Sequence, residues 1–484
     1  MRRFLLVAML AVGSAPAVAV EPPRMQLADF LARVESDHAL VRAAEAELAA
    51  YQALYDRALY AWLPVLKVES LLAPLPERRL LRECAFPGES AGPGVIRVGP
   101  CPGTDPDADE RIGAGSEMGI LTRTKATLTL PLYTFGKIDA GRAAARQGLE
   151  VGRQGISAAR AQLAVLVKRA YYGAQMADSA LNILSDARDR LRKARASIEK
   201  ELAEETGRFT RNDVRKLDVQ AAEVEAGYLE TEALAQVARE GLRLAGGFAP
   251  GSPFELAESA LRPVHVPMRD AEAWQSAAQS HRPEILMARA AVEARAAQLE
   301  QARAEFYPDL ALVGAFGYAL GTSADKSPDP FADDDYNFLS WGVLLGAEWK
   351  LDPAARMGKL EEATAAWQKQ RAQLEALTQR VRLDVFEAVL QFQRHRGEVV
   401  ARRRAVKASK GWLVSNTMNF GLGLATTDEL IDSLTAYSKA RLAHFRALFE
   451  YNLAAARLSE AVGTEVVQPG LGILDDEEPV NAAP

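Results

Sequence analysis

The sequence predicts an α+β membrane protein that combines long coiled-coil helices with two β-hairpins, so that one chain supplies four strands. Three observations predict this fold class. The chain of 484 residues contains an internal twofold repeat. Each copy has a proline-free stretch of about 70 residues with helical periodicity. Each copy also has a shorter stretch in which apolar residues alternate, as in strands.

The repeat becomes visible when the chain is aligned with itself. At a shift of 244 residues, Trp62-Leu63-Pro64 falls on Phe306-Tyr307-Pro308. At a shift of 216 residues, Gly207 falls on Gly423. The difference between the two shifts places about 28 additional residues in the first copy. We expect loop 81–117 to hold them.

These correspondences divide the chain into a signal peptide, two repeats, a linker and a tail. The predicted segments are 1–19 (signal peptide), 20–245 (first repeat, with a β-hairpin at 64–133, loop 81–117 and a tip at 206–213), 246–280 (linker), 281–462 (second repeat, with a β-hairpin at 307–351 and a tip at 420–429) and 463–484 (tail). In each repeat a short helix precedes the hairpin, and a very long helix and a shorter helix follow it.

The long helices are predicted from an apolar row of the kind found in coiled coils. Apolar and small residues recur at alternating steps of four and three at Leu163, Val167, Ala170, Ala174, Ala177, Leu181 and Leu184. Small residues in such a row allow neighbouring helices to approach closely.

The strands are predicted in the interrupted middle of each repeat. The stretch "TRTKATLTLPLY" (122–133) alternates, and "DLALVGAFGYAL" (309–320) and "FLSWGVLLGAEWKL" (338–351) are rich in glycine and aromatic residues. Their lengths suit tilted membrane strands of roughly 9–11 residues, although a soluble hairpin packed on helices would alternate in the same way. Four strands cannot close a barrel, and lipid excludes open sheet edges, so a membrane location requires several copies of the chain.

The start of the chain predicts export. Arg2 and Arg3 precede the apolar run 4–12, and Ala17-Val18-Ala19 fits a cleavage site, so we expect a secretory signal peptide cleaved near Ala19. The run is shorter than the ~20 residues of a spanning helix. The net charge of −6 gives no indication of nucleic-acid binding.

The two cysteines, Cys84 and Cys101, lie in the Pro/Gly-rich loop of the first repeat. In an exported chain this favours a disulfide between them. The alternative, a metal or redox pair, lacks both C-x-x-C spacing and a nearby histidine.

An exported enzyme is one alternative function. "GESAG" (88–92) matches the G-x-S-x-G motif, but Ser90 lies in a Pro/Gly loop without the strand and helix that a nucleophile elbow requires. The five histidines are scattered and form no H-E-x-x-H motif. No catalytic constellation supports this alternative.

The two glycine-containing tips are the candidate functional site. In "NFGLGLATTDELID" (419–432), Thr426 and Glu429 form an S/T-x-x-E capping box, and Thr210 and Asp213 form the related pattern in the first repeat. A phosphate cradle is disfavoured, because Asp428 and its acidic neighbours would repel an anion. A helix-turn-helix reversal explains both tips.

The chain resembles the TolC-like outer-membrane efflux and secretion channels. The resemblance depends on the repeat, the aromatic-x-Pro starts of both hairpins, "LTLPLYTFGK" (128–137), "HRPEILMARAAVEA" (281–294) and the spacing of the tips. It implies a homotrimer whose strands form a twelve-stranded transmembrane β-barrel in outer-membrane lipid and whose helices form an α-barrel tunnel in the periplasm. Such a channel is the passive, cofactor-free exit duct of a tripartite efflux or type I secretion system, with a periplasmic adaptor and an inner-membrane pump.

The resemblance also implies roles for residues at the tips. Glu429 and Asp432 match an acidic ring at the periplasmic entrance, with Asp213 in the equivalent place of the first repeat; stabilisation of the helix start alone is the alternative. The tip residues expected to dock the adaptor are Gly207, Arg208, Phe209, Gly423, Leu424 and Ala425.

The chain departs from the family at the closed-state latch, meaning the side chains that hold the aperture shut. Family members place a tyrosine and an arginine where this chain has Phe420 and Ala425. That latch cannot form here, so other residues hold the aperture or it is looser. A periplasmic coiled-coil adaptor is the main alternative function, although two hairpin-containing repeats argue against it.

Overall fold

The order of the helices and strands repeats along the chain. This computed structural model describes residues 23–76, 83–85, 98–100, 118–205, 207–249, 251–324 and 334–471. The helices are α1 (Leu27–Asp37), α2 (Ala39–Leu59), α3 (Lys137–Ala203), α4 (Arg211–Ala245), α5 (Ala271–His281), α6 (Pro283–Ala304), α7 (Pro353–Leu422) and α8 (Thr427–Val462). The strands are β1 (Arg24–Met25), β2 (Val65–Pro76), β3 (Glu83–Ala85), β4 (Val98–Pro100), β5 (Met118–Tyr133), β6 (Glu255–Leu256), β7 (Val264–His265), β8 (Asp309–Gly321), β9 (Asn337–Glu348) and β10 (Gln468–Leu471).

Several predicted features lie outside the described residues. These are the signal peptide 1–19, Cys101 of the predicted disulfide, and Ser90 of the G-x-S-x-G match. Of loop 81–117, only the antiparallel pair β3 and β4 is described. Within the described part of the chain, no helix is both long enough and apolar enough to cross a membrane.

The chain divides into two compact units. Residues 50–149 and 290–371 form one, which we call the sheet unit. Its four long strands form an antiparallel sheet in the order β2-β5-β8-β9. The outer edges of β2 and β9 have no strand partner among the described residues. At one end of the sheet, Lys137 at the start of α3 forms an ion pair with Asp309 at the start of β8, with 2.8 Å between Nζ and Oδ1.

The sheet has one apolar face and one polar face. Because side chains alternate across a strand, the register places Val68, Ala126, Phe316 and Trp341 side by side on one face. On the last strand, this face presents Leu339, Trp341, Val343 and Leu345, all exposed. On β2 and β5 the other face carries the polar and charged residues Lys67, Glu69, Arg123, Lys125, Thr127 and Thr129, and on β8 and β9 it carries mostly small residues. A sheet with two exposed faces of opposite polarity is suited to a boundary between lipid and water.

The remaining residues form the helical unit, which contains most of α3, α4, α7 and α8. Residues of the predicted row, such as Leu163, Val167 and Ala174, are buried in its core. Lys168 is also buried, and its ammonium group pairs with the carboxylate of Glu465. Burial tends to raise the pKa of Glu465, but Lys168 and the hydrogen bonds from Val467 and Ser459 outweigh it and lower the pKa overall.

The linker and the tail pair with each other through short strands. Strand β7 pairs with β10, and the buried Asn452 of α8 accepts a hydrogen bond of 3.0 Å from the backbone N–H of Val264. The linker also contains α5, which breaks at Arg282 before α6, as α1 breaks at His38 before α2. Since these breaks are 244 residues apart, α5 belongs to the second repeat, and the repeat starts before the predicted boundary at 281.

Candidate functional site: the two helical tips

Each tip reverses the chain through a glycine in the left-handed region. Gly423 has φ +80 and Gly207 has φ +73, a conformation that glycine adopts without a Cβ penalty. After α7, the N–H of Leu424 donates to the carbonyl of Asn419 over 2.8 Å. This satisfies a carbonyl that the end of the helix would leave free.

The residue after each turn caps the next helix. The N–H of Thr426 donates to Glu429 Oε2 at 2.7 Å, and the N–H of Glu429 donates back to the Thr426 hydroxyl at 3.2 Å. In the first tip, the N–H and hydroxyl of Thr210 both donate to Asp213 Oδ2, at 2.8 and 2.7 Å. Both carboxylates thus hold their own helix starts.

The capping contacts also keep Asp213 ionised. Burial tends to raise its pKa, but the hydrogen bonds from Thr210 and the charge of Lys216 lower the pKa overall. Glu429 occupies the same capping position. Asp432 differs, because it is exposed and, within the described residues, its carboxylate has no hydrogen-bond or ion-pair partner. Of the three predicted ring carboxylates, Asp432 alone is uncommitted.

Arg208 connects the two tips. Its guanidinium lies 3.1 Å from Glu201 Oε1 in its own hairpin and donates to the backbone carbonyl of Phe420 in the other. It also lies over two rings, 4.7 Å from the centroid of Phe209 and 5.7 Å from that of Phe420. Arg208 lies close against Gly423 as well, where an added Cβ would be 3.3 Å from Arg208 Cζ. The Arg208 side chain therefore contacts both the carbonyl of Phe420 and Gly423, the residues on either side of the second turn.

A second ion pair joins the starts of the two following helices. Lys216 Nζ lies 2.6 Å from Asp428 Oδ2. The hydrogen bond from Lys216 to Asp428 and the carboxylate charge raise the pKa of the lysine. Because the pair is solvent-exposed, it stabilises the contact less than Arg208 does.

An apolar cluster lies behind these polar contacts. The rings of Phe209 and Phe420 are 5.2 Å apart. Around them pack Leu191, Ile198, Leu217, Leu413, Leu430 and Leu434, from all four long helices. Phe420, which stands in the position of the family's latch tyrosine, is thus an apolar member of this cluster.

The residues predicted to dock an adaptor divide into two groups. Leu424 is 76% exposed, and both tip glycines are open to solvent. Phe209 is buried, and Ala425 and Arg208 are partly buried against the apolar cluster. The accessible part of the tips is therefore Leu424 with the two turns.

Residues 274–464 match the family model described as "Outer membrane efflux protein". These residues are similar to an outer membrane efflux protein domain. The predicted resemblance to the TolC-like channels is confirmed. The matched segment includes the second tip with its capping box, and strands β8 and β9. It also includes Phe420 and Gly423, which contact Arg208.

A curated relative matches more of the chain than the outer membrane efflux protein domain. Protein CyaE of Bordetella pertussis is 28% identical over 389 residues, which cover 77% of this chain and 76% of CyaE.

Solved structures of outer-membrane channels have the same fold, which confirms the predicted fold class. CusC, described as forming a transmembrane channel, matches with a TM-score of 0.70 at 17% identity, over 92% of this chain and 93% of its own. The outer membrane protein VceC of Vibrio cholerae matches with 0.67 at 18% identity, over 91% and 96%. The open state of the MtrE outer membrane channel of Neisseria gonorrhoeae matches with 0.67 at 16% identity, over 91% and 89%.

The sequence predicts the positions of the two tips but not the contacts that connect them. It assigned Arg208 to a docking surface, whereas the structure places its guanidinium against Phe420 of the second tip. It named Asp428 only as a charge that would repel an anion, and it did not single out Lys216. The only sequence signal for either contact is the alignment of the two tips, since each contact joins residues 212 positions apart.

Proposed function

We propose that this chain is the outer-membrane exit duct of a tripartite efflux or type I secretion system, a passive trimeric channel gated at its helical tips. The observation that carries the proposal is the four-stranded sheet. It has an apolar face, a polar face and two edge strands without partners. Lipid cannot hydrogen-bond such edges, so joining copies edge to edge into one closed barrel satisfies them.

The strand count limits the number of copies in the barrel. Two copies would give eight strands and three would give twelve, and both even numbers are found in membrane barrels. The similarity to the TolC-like channels favours three. In that arrangement the apolar face with Trp341 meets lipid, and the polar face with Lys125 lines the pore.

Aromatic side chains at one end of the sheet support a membrane boundary there. The exposed residues Tyr60, Trp62, Tyr133, Tyr307 and Trp349 flank the first residue of β2 and β8 or the last residue of β5 and β9. Tyrosine and tryptophan concentrate at the interface between lipid headgroups and water. We therefore assign this end of the sheet to the periplasmic interface of the outer membrane.

The tips are the proposed gate. In this chain Arg208 and the Lys216–Asp428 pair take the place of the family's latch, because they hold the first hairpin against the second within one subunit. Separating the hairpins would move α7 and α8 away from α3 and α4 and widen the aperture. The exposed Leu424 and the two glycine turns form the surface to which a periplasmic adaptor, itself joined to an inner-membrane pump, would bind.

Planar-bilayer recording of the purified protein tests the channel and its acidic ring together. We expect wild-type channels to conduct and to be blocked by divalent cations added on the periplasmic side. Asp432→Asn should weaken the block strongly, because its three copies carry uncommitted charge. Glu429→Gln should weaken the block less, because the Glu429 carboxylate is already hydrogen-bonded at the start of α8. The amide of the variant retains an oxygen for that capping bond.

The control for this experiment is Glu375→Gln, an exposed carboxylate on α7 far from the tip. It should leave the block unchanged. A wild-type protein that never conducts would reject the channel function. Channels whose block survives both tip substitutions would reject the acidic ring alone.

A further inference from the structure

The helical unit contains four long helices, and two of them, α4 and α7, have an exposed face along much of their length. Helix α3 contacts α4 through Arg188 and Glu225, whose side chains are 3.0 Å apart. On another side α3 contacts α8, where Arg441 lies 3.1 Å from Asp186. Helix α7 packs on α8 as its hairpin partner. Helix α3 therefore lies between α4 and α8 at these two contacts, and α4 also meets α8 at the tips through Lys216 and Asp428.

Large exposed apolar residues of the four long helices concentrate on α4 and α7. Helix α8 has no large exposed apolar residue, and α3 has only Leu166. Helix α4 exposes Val219, Leu229, Leu234, Val237 and Leu244. Within the helical unit, α7 exposes Leu383, Phe386, Leu390, Val414, Met418 and also Trp412 and Leu422. Apolar patches of this extent indicate contact surfaces.

On α7 the exposed residues form a second coiled-coil row, which we call the α7 outer row. From Leu383 to Met418 it advances by alternating steps of three and four residues, through Phe386, Leu390 and Val414. The buried row of the same helix, with Val381, Val385, Phe392 and Val399, faces α8. A helix with two such rows on different sides packs between two neighbours, and no helix in the described part of the chain covers the α7 outer row.

Helix α4 has a matching α4 outer row. Val219, Ala226, Ala233, Val237 and Leu244 are exposed at coiled-coil spacing. The buried row of α4, with Leu217, Ala235 and Leu242, faces its own chain. The small residues in the α4 outer row would let a partner helix approach closely.

The charges within the two rows are opposite. The α7 outer row contains Arg404 and Lys407, and no Asp or Glu occurs between residues 399 and 427. The α4 outer row contains Glu223 and Glu230, and no Lys or Arg occurs between residues 217 and 238. All four side chains are exposed and, across the described residues, none of them has an ion-pair or hydrogen-bond partner.

The charges also lie at the same height above the tips. Helix α7 runs toward its tip and α4 runs away from its own, so the two are antiparallel. Lys407 is sixteen residues before Gly423, and Glu223 is sixteen residues after Gly207. At 1.5 Å per residue both lie ~24 Å from the tips. Arg404 and Glu230 lie ~29 and ~35 Å away, a difference of about 6 Å that an arginine side chain can span.

We infer that the α7 outer row of one copy packs against the α4 outer row of the next copy, with Lys407 facing Glu223 and Arg404 facing Glu230. The inference rests on the proposed assembly of several copies and specifies its helical interface. Apolar residues above and below supply contact area. The buried charge pairs fix which helices meet and in which register, since a shifted register would leave charges without partners.

Cysteine crosslinking in the full-length protein tests this arrangement. The Lys407→Cys, Glu223→Cys double variant should form covalent oligomers on mild oxidation, seen on a non-reducing gel and lost on reduction. Each single variant, which retains Cys84 and Cys101, should not form them. The matched control combines Glu223→Cys with Ala405→Cys, because Ala405 is exposed but lies about 200° round the helix from Lys407.

Charge reversal gives an independent measurement. Arg404→Glu with Lys407→Glu should lower the temperature at which the oligomer dissociates, and adding Glu223→Lys with Glu230→Lys should restore it. Native oligomers that crosslink equally through Ala405, or not at all through Lys407, would overturn the inference while leaving the channel function intact. A chain that stays monomeric under all conditions would reject both.

Discussion

Replacing Arg208 with alanine is expected to raise the resting conductance of reconstituted channels. The substitution removes a charged hydrogen bond to the carbonyl of Phe420, the ion pair with Glu201 and the contact with two aromatic rings. A hydrogen bond from a charged group contributes about 2 kcal/mol, which corresponds to a change of about thirtyfold in the ratio of open to closed tips. Single-channel recording without any adaptor protein would measure this change as a higher open probability of the variant than of the wild type.

Two variants separate the latch from general effects of charge. Arg211→Ala removes an exposed arginine three residues later that has no ion pair or hydrogen bond in the described structure, so its conductance should equal that of wild type. Arg208→Lys keeps the charge but loses the planar fork, and an intermediate conductance is expected. If Arg208→Ala and Arg211→Ala behave alike, Arg208 does not hold the gate.

Replacing Gly463 with alanine is expected to destabilise the helical unit more than any other single methyl addition in it. Gly463 ends α8 with φ +81, and an added Cβ would lie 2.5 Å from Arg282 Cα and 2.7 Å from Arg282 N. These are backbone atoms at the break between α5 and α6, so no side-chain rotation relieves the clash. Left-handed strain and overpacking together cost about 3 kcal/mol or more.

The measurement is the midpoint of thermal unfolding followed by circular dichroism. Gly155→Ala provides the matched control, because Gly155 lies inside α3 and an added Cβ would meet no atom within 4 Å. That variant should unfold at the wild-type temperature or above it, since alanine favours the helix by up to ~1 kcal/mol. Equal midpoints for the two variants would contradict the close approach at Gly463.

Much of the architecture could be predicted because it is encoded in local periodicity. The absence of proline between 353 and 423, together with heptad spacing, predicts α7. Alternation in 122–133 predicts β5, which starts four residues earlier in the structure, and β9 ends at Glu348 rather than 351. The predicted linker 246–280 contains most of α5. Helix α5 aligns with α1 at the same shift of 244 residues, so the repeat itself indicates that α5 belongs to the second copy.

The candidate site was predictable only in part, for a physical reason. Capping by Thr426 and Glu429 depends on neighbours three residues apart and can therefore be predicted from the sequence. The direction of the Arg208 side chain depends on how two hairpins pack, since its partner Phe420 is 212 residues away. No local pattern distinguishes an arginine that faces an adaptor from one that holds the neighbouring tip.

The most direct test of the account is the number of subunits in the assembled channel. The full-length mature protein is extracted from the outer-membrane fraction in detergent. Native mass spectrometry then releases the complex from the detergent and counts its chains. One chain supplies four strands with two unpaired edges, and the similarity to the TolC-like channels favours twelve strands, so we expect a complex of three copies. A monomer in the soluble fraction, or a complex of any other number of copies, would contradict the trimeric exit duct.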